Sequence, residues 1–557
     1  MDRLMNFALR LTLMFCIALP AAVHAERPNP DSPSAQVGWQ GAGTHGAVAA
    51  GGAGAVQAGL TLLKSGGNAT DAAAATILAL SVTDDKSFCF GGEVPILVYD
   101  AKRVLVEVVA GQGAAPRLAT REYFERIGGI PGKGLKPAAV PATLDACLTL
   151  LDRYGTRTFA EVVQPTLALL DKKTAPWHAD LAATLRRLVE AEQQAGADRS
   201  RGLRKVADYF YRGPLAHELS QWCQSNGGLL RYSDLAAHVT RIEDPVSIQY
   251  RGHTVYKCGP WTQGPVLLQT LQLLEGYDLR ALGHNRPDAI HLAVEAMKLA
   301  FADRDLYYAD PLYADIPLAQ LLSPRYAQAR RALIDAQHAS LEYRPGDPRS
   351  GKPLLDKSLL KHGLGGPARD TTTCLVADSQ GNVVAATPSG WDGVVAGKTG
   401  VWLGTRLQSF NLWPDHPNCI EPGKRPRITL TPTLVLKDGQ PVLAISVAGG
   451  DGQDQATLQM LLGCIDYGLS PAEAVTAPRF GTNHHLGSFR QTPPELGSLV
   501  VDASLDSAAV AALKQRGHRV TPVNQALWNP SVLRKNRQSG LIEAAGDPRA
   551  GRHSGAY

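Results

Sequence analysis

The sequence has almost no surplus of charge of either sign, and this limits the partners that it can have. Lysine and arginine total 56 against 51 aspartates and glutamates, so the formal net charge is only +5 over 557 residues. The basic residues are spread along the chain and form no run with interleaved aromatic residues. A nucleic-acid-binding surface normally shows such a cluster. We therefore expect no nucleic-acid partner.

Neither the cysteines nor the histidines have the spacing of a metal site. Of the eight cysteines, Cys16 lies in an N-terminal apolar segment, and the others are irregularly spaced without a CxxC pair. This excludes a zinc ribbon and leaves room for one or two disulfides, which the spacing does not assign. His484, His485 and the other histidines also lack ligand spacing. We interpret them as surface or core residues and predict no metal.

Only one apolar run stands out, and it lies at the N-terminus. Arg3 and Arg10 give a positive start, residues 11–22 are almost wholly apolar, and small residues precede a cut before Glu26. The run is short for a membrane span, and the layout predicts a secretory signal peptide over residues 1–25. A buried helix or a lipid anchor at Cys16 are the alternatives. We expect a secreted or periplasmic protein with no stable membrane anchor.

Helical and strand-like patterns alternate in the first half of the mature chain. Residues 56–63 have helical apolar spacing, and an alanine-rich segment over 71–82 follows a Gly-Gly-Asn break. Two β-rich runs at 94–100 and 104–110 are joined by a turn-like segment, and 141–310 is mostly helical in pattern. At this length, three or four average domains and a single large α/β body are both open.

The glycines at 52 and 54 resemble part of a dinucleotide-binding loop. That loop follows a strand and is followed by a suitably placed acidic residue. We find neither feature in the sequence here. A dinucleotide site is therefore not predicted.

The character of the chain changes abruptly at Thr371. Residues 343–370 are rich in glycine, proline and charge, which predicts a flexible, exposed connector. Strand-like runs follow at 371–377 and 383–387, then at 428–436 and 441–447, before a helix over about 453–467. A connector that runs directly into a strand beginning Thr-Thr-Thr is a junction where a chain could be cut and its new terminus held rigidly.

A threonine at such a new terminus can supply both a nucleophile and a base. Its hydroxyl needs a base within hydrogen-bond reach, and a free α-amine has a pKa of about 7.7–8.0. Before cleavage, the Thr371 hydroxyl could attack the carbonyl of Asp370 and form an ester that water hydrolyses. Gly449 and Gly450, just before a helix, could offer backbone N–H groups to the oxyanion. Ser389 could direct its hydroxyl toward Thr371.

These residues fall within a set of motifs that resembles the γ-glutamyltransferases and their cephalosporin-acylase-like relatives. The resemblance covers nearly all of the mature chain, with its motifs in the same order. The motifs are Thr371 to Asp378 with Gly381-Asn382; Lys424 to Arg427 with Thr431-Pro432-Thr433; Ala448 to Asp451; Asp466-Tyr467-Gly468; Ala477 to Phe480; and, in the first half, Gly66 to Ala73 and Gly91-Gly92.

The resemblance implies the four-layer αββα sandwich of the N-terminal-nucleophile hydrolases. It implies maturation into a large subunit, residues 26–370, and a small subunit, residues 371–557, which stay together. It also implies acyl transfer from a small-molecule amide to water or an amine, without metal or organic cofactor. Thr371 falls on the nucleophile, Ser389 on a supporting hydroxyl that is normally threonine, and Gly449 and Gly450 on the oxyanion hole.

The substrate-binding positions depart from the family pattern. Gln112 stands where γ-glutamyl enzymes have an arginine for the α-carboxylate, and Ser409 stands in place of the acid that binds the α-amine. Trp391 stands where the family has an asparagine in the pocket, and Ile428 and Thr429 stand where it has a pair of serines. Losing an arginine and its opposing acid removes charge-assisted contacts. Arg406 or Arg427 could supply a replacement cation. The segment from Ser409 to Pro426, where many relatives carry a lid loop, is also short. Thr373 stands where the family usually has a histidine.

Three hypotheses remain open from the sequence. The first is a self-cleaving amidohydrolase or acyltransferase that acts on γ-glutamyl or related acyl amides, with strict glutathione-type specificity disfavoured. The second is a β-lactam or other side-chain acylase that uses the same machinery. The third is an unprocessed binding protein, which the joint presence of Thr371, Ser389, Gly449 and Gly450 argues against.

Self-cleavage before Thr371 gives the first testable prediction. Purified wild-type protein should yield two fragments, the smaller beginning at Thr371, because the hydroxyl attacks the preceding carbonyl. Thr371→Ala lacks the hydroxyl and should remain a single chain. Intact mass and denaturing gel electrophoresis measure both. If the wild type and Thr371→Ala both remain full length after prolonged incubation, Thr371 is not a working nucleophile.

Overall fold

Two seven-stranded antiparallel sheets occupy the centre of the computed structural model, which describes residues 37–354 and 371–557. The predicted signal peptide, Asp370 and the connector from 355 onward lie outside the described residues. The first sheet has the order β19-β2-β8-β9-β3-β4-β5, and the second has the order β1-β18-β17-β13-β12-β7-β6. The strands are β1 (Gln40–Gly43), β2 (Gly46–Ala50), β3 (Val94–Asp100), β4 (Leu105–Gly111), β5 (Arg241–Glu243), β6 (Val246–Tyr250), β7 (His253–Lys257), β8 (Cys374–Asp378), β9 (Val383–Ala386), β10 (Val394–Val395), β11 (Trp402–Leu403), β12 (Thr433–Lys437), β13 (Gln440–Ala448), β14 (Phe480–Gly481), β15 (Ser498–Asp502), β16 (Arg519–Val523), β17 (Asn529–Lys535), β18 (Ile542–Gly546) and β19 (His553–Ala556).

Helices cover the outer face of each sheet. The first sheet packs against α1, α2 and α4, with α5 to α8 forming a further layer on these helices, and the second sheet packs against α10, α15 and α16, with α12 behind α10. The helices are α1 (Ala53–Lys64), α2 (Ala69–Thr83), α3 (Arg121–Arg126), α4 (Thr143–Tyr154), α5 (Phe159–Leu170), α6 (His178–Gln193), α7 (Arg199–Tyr211), α8 (Pro214–Ser225), α9 (Tyr232–Ala236), α10 (Pro265–Leu274), α11 (Leu279–Leu282), α12 (Pro287–Tyr307), α13 (Leu318–Leu321), α14 (Pro324–Arg331), α15 (Gly452–Ile465), α16 (Pro471–Thr476) and α17 (Ser507–Gln515). The α/β class that we predicted is confirmed.

A third apolar layer lies between the two sheets. In β8, Leu375 faces this layer while Val376 faces the helices, and in β12 Leu434 and Val435 divide in the same way. Because successive side chains of a strand point to opposite faces, both faces of these strands are buried. This explains why β8, β9 and β3 are continuous apolar runs rather than alternating ones.

The structure corrects several boundaries that the sequence predicts. Strand β8 begins at Cys374, and Thr371 precedes it in an isolated antiparallel bridge to Ser389. The region 141–310 is mostly helical, but β5, β6 and β7 interrupt it. A strand, β2, does precede Gly52, and its run of small residues hid it from propensity rules. The connector is not exposed from its start, because Tyr343 and Arg344 are buried.

The cysteines and the helices add two findings. The seven cysteines in the described part of the chain, Cys89, Cys147, Cys223, Cys258, Cys374, Cys419 and Cys464, are all free thiols. Within residues 37–354 and 371–557, no helix combines the length and the apolar character that crossing a bilayer requires.

Asp71 ties α2 to the loop before α5, and it gives a prediction of stability. The buried carboxylate accepts hydrogen bonds from the backbone N–H groups of Asn68, Thr156 and Arg157 and from the Thr156 hydroxyl. Asp71→Ala removes the buried acceptor that these half-buried donors share, which should lower the free energy of unfolding by about 3 kcal/mol. Denaturant titration measures the loss.

Asp171→Ala is the matched control for this prediction. Asp171 pairs with Arg186 at 2.6 Å, but both side chains are half exposed. Its loss should cost less than about 1 kcal/mol. Equal losses for the two variants would contradict a special role for the Asp71 cap.

Candidate active site

Thr371 precedes strand β8, at one end of the first sheet. Only 2% of its surface is exposed. Its neighbours are fixed by backbone hydrogen bonds, from Thr372 N–H to the Pro388 carbonyl at 2.9 Å and from Gly51 N–H to the Thr373 carbonyl at 3.2 Å. The three threonines are therefore held by hydrogen bonds although they precede the regular strand.

The hydroxyl of Thr371 lies between two polar side chains. The Ser389 Oγ is 3.5 Å away, and the amide group of Gln453, in the first turn of α15, is 3.2 Å away. In one orientation of the Gln453 amide, both its nitrogen and its oxygen have hydrogen-bond partners. Its Nε2 then donates to the carbonyls of Thr429 and Val447 at 3.0 Å each. In that orientation its Oε1 accepts from the Thr371 hydroxyl. Gln453 is fully buried.

A buried arginine holds the backbone of the nucleophile position. Arg552 Nη2 donates to the Thr371 carbonyl at 3.1 Å, and its Nη1 reaches the Thr372 hydroxyl at 3.4 Å. The same Nη1 pairs with Asp84 at 2.7 Å. Because the guanidinium is fixed by Asp84, it acts as a rigid clamp on the residues just after the predicted cut.

Ser389 is held by a second buried arginine. Arg406 Nη2 donates to Ser389 Oγ at 2.8 Å, while its Nε donates to Glu93 at 2.5 Å and its Nη2 is also in ion-pair contact with that carboxylate. Burial raises the pKa of the Glu93 carboxyl, and the contact with Arg406 opposes this effect. The carboxylate form therefore depends on the guanidinium beside it.

Gly449 and Gly450 form the turn between β13 and α15. Their φ angles are +131° and +58°, so the turn uses a conformation that side chains with a Cβ rarely adopt. The next residue, Asp451, accepts from Ser488 N–H and contacts Arg304. Burial alone would raise the pKa of Asp451, but Arg304 holds it below its usual value. The glycine turn is thus fixed by a buried ion pair at the start of the helix that carries Gln453.

The predicted substrate residues divide into two groups. Thr429 lies beside Gln453, and Trp391 packs edge-on against Phe489, which lies 5.9 Å from the Arg406 guanidinium. The structure therefore brings Thr371, Ser389, Arg406, Thr429 and Trp391 into one contiguous group. Ser409 ends the short 3₁₀ turn that begins at Arg406, and its hydroxyl is buried.

Gln112 and Arg427 do not join that group through any contact among the described residues. Gln112 lines a separate cavity of about 340 Å³, together with Asp310 and Arg425. Arg427 donates to Ser488 at 2.9 Å and lies 3.6 Å from Asp305. Burial and the nearby Arg304 lower the pKa of Arg427 to about 10. Arg406, rather than Arg427, is the cation that contacts Ser389 beside Thr371.

Sequence reasoning missed three contributors to this site, Gln453, Glu93 and Arg552. The first two directly follow motifs that the sequence analysis used, since Glu93 comes after Gly91-Gly92 and Gln453 comes two residues after Asp451. The available signals were the charge of Glu93 within an apolar stretch and the position of Gln453 next to the glycine turn. Arg552 had no such signal, because only the fold brings it to Thr371.

One histidine cluster has the composition of a metal site. His291, Glu295 and His518 place one ligand atom each within 4.8 Å of one another, which the sequence spacing did not predict. However, His291 hydrogen-bonds His518 at 2.8 Å, and Glu295 is paired with Lys298 and Arg344. Burial and Lys298 lower the pKa of His518 to about 3. Two adjacent cations disfavour a metal, and the absence of a metal remains a prediction.

Comparison with known proteins assigns this arrangement to a family. A sequence model of the gamma-glutamyltranspeptidase family matches residues 55–173 and 171–557. The chain belongs to this family, and it is an enzyme of the N-terminal-nucleophile hydrolase class. The resemblance stated above is confirmed.

Relatives of more than one named activity are similar to the chain. A glutathione hydrolase-like proenzyme of Bacillus subtilis is 30% identical over 528 residues, covering 89% of this chain and 95% of the relative. The acylase ACY 1 proenzyme of a Pseudomonas species is 32% identical over 530 residues, covering 88% and 89%. The crystal structure of a cephalosporin acylase from Bacillus halodurans superposes with a TM-score of 0.77 at 28% identity, covering 96% and 98%.

The glycine turn gives a testable prediction. A Cβ on Gly449 would lie 2.4 Å from Cδ1 of Trp528, so Gly449→Ala must displace the indole or the turn. We expect it to lower the free energy of unfolding by about 1–3 kcal/mol. Gly439→Ala is the control, since its φ is also positive but nothing lies within 4 Å of its Cβ. Equal unfolding energies for the two variants would rule out the contact with Trp528 as the cause.

Proposed function

We propose that the chain is a self-cleaving N-terminal-threonine amidohydrolase or acyltransferase. It is cut between Asp370 and Thr371 into a large subunit, residues 26–370, and a small subunit, residues 371–557. The two sheets and their helices then form the αββα sandwich of this class. The substrate is a small-molecule amide, the acceptor is water or an amine, and no metal or organic cofactor takes part.

The observation that carries this proposal is the surroundings of the Thr371 hydroxyl. A threonine that served only as strand filler would not need a buried hydroxyl between Ser389 and Gln453. Nor would it need an arginine on its own carbonyl. These contacts converge at one end of a segment that the sequence predicts to be cut.

Self-cleavage begins with attack of the Thr371 Oγ on the Asp370 carbonyl carbon. The peptide C–N bond breaks as the new C–O bond is made, and the proton of the hydroxyl passes to the departing nitrogen. Water then hydrolyses the ester, which leaves a carboxylate on Asp370 and a free α-amine on Thr371. Arg552 supports the step because it fixes the carbonyl on the other side of Thr371.

The mature site then transfers acyl groups by the same geometry. The free α-amine takes the proton of Thr371 Oγ as the oxygen attacks the substrate carbonyl. The amine leaving group receives that proton, and an acyl ester remains on Thr371. Water or an amine attacks the ester and releases the acyl group. Backbone N–H groups of Gly449 and Gly450 stabilise the oxyanion, each worth about 3 kcal/mol when well placed.

The arrangement of strands supports subunits that stay together after the cut. In the first sheet, β8 and β9 come from the small subunit and lie between β2 and β3 of the large one. In the second sheet, β12 pairs with β7 of the large subunit and β18 pairs with β1. Separation would break backbone ladders in both sheets and expose their apolar faces.

The polar groups of the site favour an acyl group other than a γ-glutamyl zwitterion. Arg406 is neutralised by Glu93, Ser409 stands where the acid for the α-amine is expected, and Gln112 lines another cavity. Trp391 and Phe489 add an aromatic wall. A side-chain acylase is therefore the second candidate, and two of the compared proteins carry acylase names. A periplasmic or secreted location fits the proposed signal peptide.

Matched anilide substrates test this proposal. γ-Glutamyl-4-nitroanilide and glutaryl-4-nitroanilide differ only in the α-amino group. Phenylacetyl-4-nitroanilide has neither the α-amino group nor the carboxylate. Because Ser409 stands where the acid for the α-amine is expected, glutaryl or phenylacetyl anilide should have a kcat/KM at least about tenfold above that of the γ-glutamyl anilide. Thr371→Ala is the inactive control.

The opposite outcomes are informative. A γ-glutamyl anilide cleaved about tenfold faster than the glutaryl one would mean that zwitterion recognition is retained. A correctly cut protein that hydrolyses none of the three anilides, nor other acyl amides, would favour the binding-protein hypothesis.

A further inference from the structure

Trp528 lies beside the glycine turn because the second sheet places it there. It directly precedes β17, whose first residue, Asn529, pairs with Ala448 at the end of β13. Gly449 is the next residue after Ala448, so Trp528 and the turn begin at the same end of this sheet. The side chain of Trp528 therefore reaches the turn from a strand, not from α15.

Three glycines leave room for the indole of Trp528. A Cβ on Gly449, Gly452 or Gly481 would overlap a different atom of the ring, namely Cδ1, Nε1 and Cη2 respectively. Gly452 is the first residue of α15, and Gly481 ends β14. Because glycine has no Cβ, the backbone can approach the ring at all three positions. The ring thus contacts the turn, the start of the helix that follows it, and a neighbouring strand.

The backbone of Trp528 is held in an uncommon conformation. Its φ is +60°, which residues with a side chain rarely adopt and which persists only where the surroundings hold it. Arg479 fixes the carbonyls on both sides, since its Nε donates to Leu527 at 2.5 Å and its Nη2 donates to Trp528 at 3.4 Å. Arg479 also forms a buried ion pair with Asp547. The motif Ala477 to Phe480, which the proposed reaction does not use, thus contacts Trp528 through its arginine.

The glycine turn carries the N–H groups that the proposed reaction needs. Neither Gly449 nor Gly450 donates its N–H group to a residue in the described part of the chain. Their carbonyls accept from Gly452 at 3.2 Å and from Gln453 at 3.1 Å. Oxyanion donors are effective when they are already in position before the reaction. Glycine has more conformational freedom than any other residue, so the turn needs support from its neighbours.

We propose that Trp528 is a positioning residue that keeps the glycine turn in the conformation that stabilises the oxyanion. Arg479 and Asp547 set the place of its indole. The inference rests on the proposed function, because it concerns the oxyanion of that reaction. Trp528 acts through the turn and needs no contact with the substrate. Loss of the indole should therefore weaken an interaction made only in the transition state, which lowers kcat and kcat/KM equally.

The first experiment shortens the side chain of Trp528. Trp528→Ala removes the ring and should lower both kcat and kcat/KM by about tenfold or more, because the turn can then relax. Trp528→Phe keeps a ring against Gly449 and should retain kcat within about threefold. Rates are expressed per cut chain, with the anilide that the wild type cleaves fastest, and thermal unfolding reports the stability of each variant.

Trp222→Ala is the matched control for Trp528→Ala. Trp222 is also partly buried, and it lies against a glycine of positive φ, Gly397 at +56°. It belongs to α8, in the helical layers that cover the first sheet. Its loss should lower the unfolding temperature but leave kcat and kcat/KM at wild-type values. Activity that falls with the unfolding temperature in both tryptophan variants would overturn the proposal, because that pattern indicates only a structural role.

A methyl group on Gly452 tests the same contact from the helix and remains informative if Trp528→Ala does not fold. Gly452→Ala places its Cβ on the indole, so it should also lower kcat by about tenfold. Gly463→Ala is the control, because Gly463 lies on the same helix and the nearest neighbour of its Cβ, in Leu469, is 3.4 Å away. This control should keep the wild-type kcat.

The losses from Trp528→Ala and Gly452→Ala should not add. In the absence of the ring, the new methyl group meets no indole, so the second substitution should cost little further activity. An additive loss in the double variant, or a wild-type kcat in folded Trp528→Ala or Gly452→Ala, would overturn the proposal. Failure of the wild type itself to cut itself or to hydrolyse any anilide would instead contradict the proposed function.

Discussion

The backbone of Ser389 is the constraint on which the site depends. It exchanges hydrogen bonds with Glu93, at 2.9 Å in each direction, and it also forms the antiparallel bridge to Thr371. One residue therefore aligns Thr371, the proposed nucleophile, on one side with the buried Glu93 on the other. The Arg406 guanidinium joins the same two residues through their side chains. Ser389 and Glu93 are thus connected twice, through their backbones and through Arg406, and neither residue can shift without breaking both connections.

The two sheets explain how such a polar group can be buried at all. Their strands have apolar side chains on both faces, so the polar residues collect where the strands end and a turn begins. Thr371 precedes β8, Ser389 follows β9, and Gly449 follows β13. At the ends of these strands, some backbone N–H and C=O groups are not used by the hydrogen-bond ladders of the sheets. The buried arginines Arg406 and Arg552 supply donors there. The apolar layers exclude water, which strengthens these contacts.

The sequence predicts the parts of this site that are local. The strands after Thr371 and the glycine turn before α15 are contiguous patterns, and the structure has both. The contacts of Gln453 and Glu93 could not be read in the same way, since their partners are 82 and 313 residues away. Strand β2 and strands β5 to β7 were missed for another reason. They are short or made of small residues, so their sequence patterns do not distinguish them from the neighbouring segments.

The Arg552 clamp has a consequence for the order of events in the life of the protein. Arg552 follows Thr371 by 181 residues, and the ribosome adds it only after all of β8 to β18 has been made. A partly synthesised chain therefore presents Thr371 with its carbonyl unheld. In the proposed self-cleavage, the contacts around Thr371 are therefore complete only after translation has passed Arg552 and β19 has joined β2. The proposed cut would thus be coupled, through Arg552, to the presence of the segment that is added late.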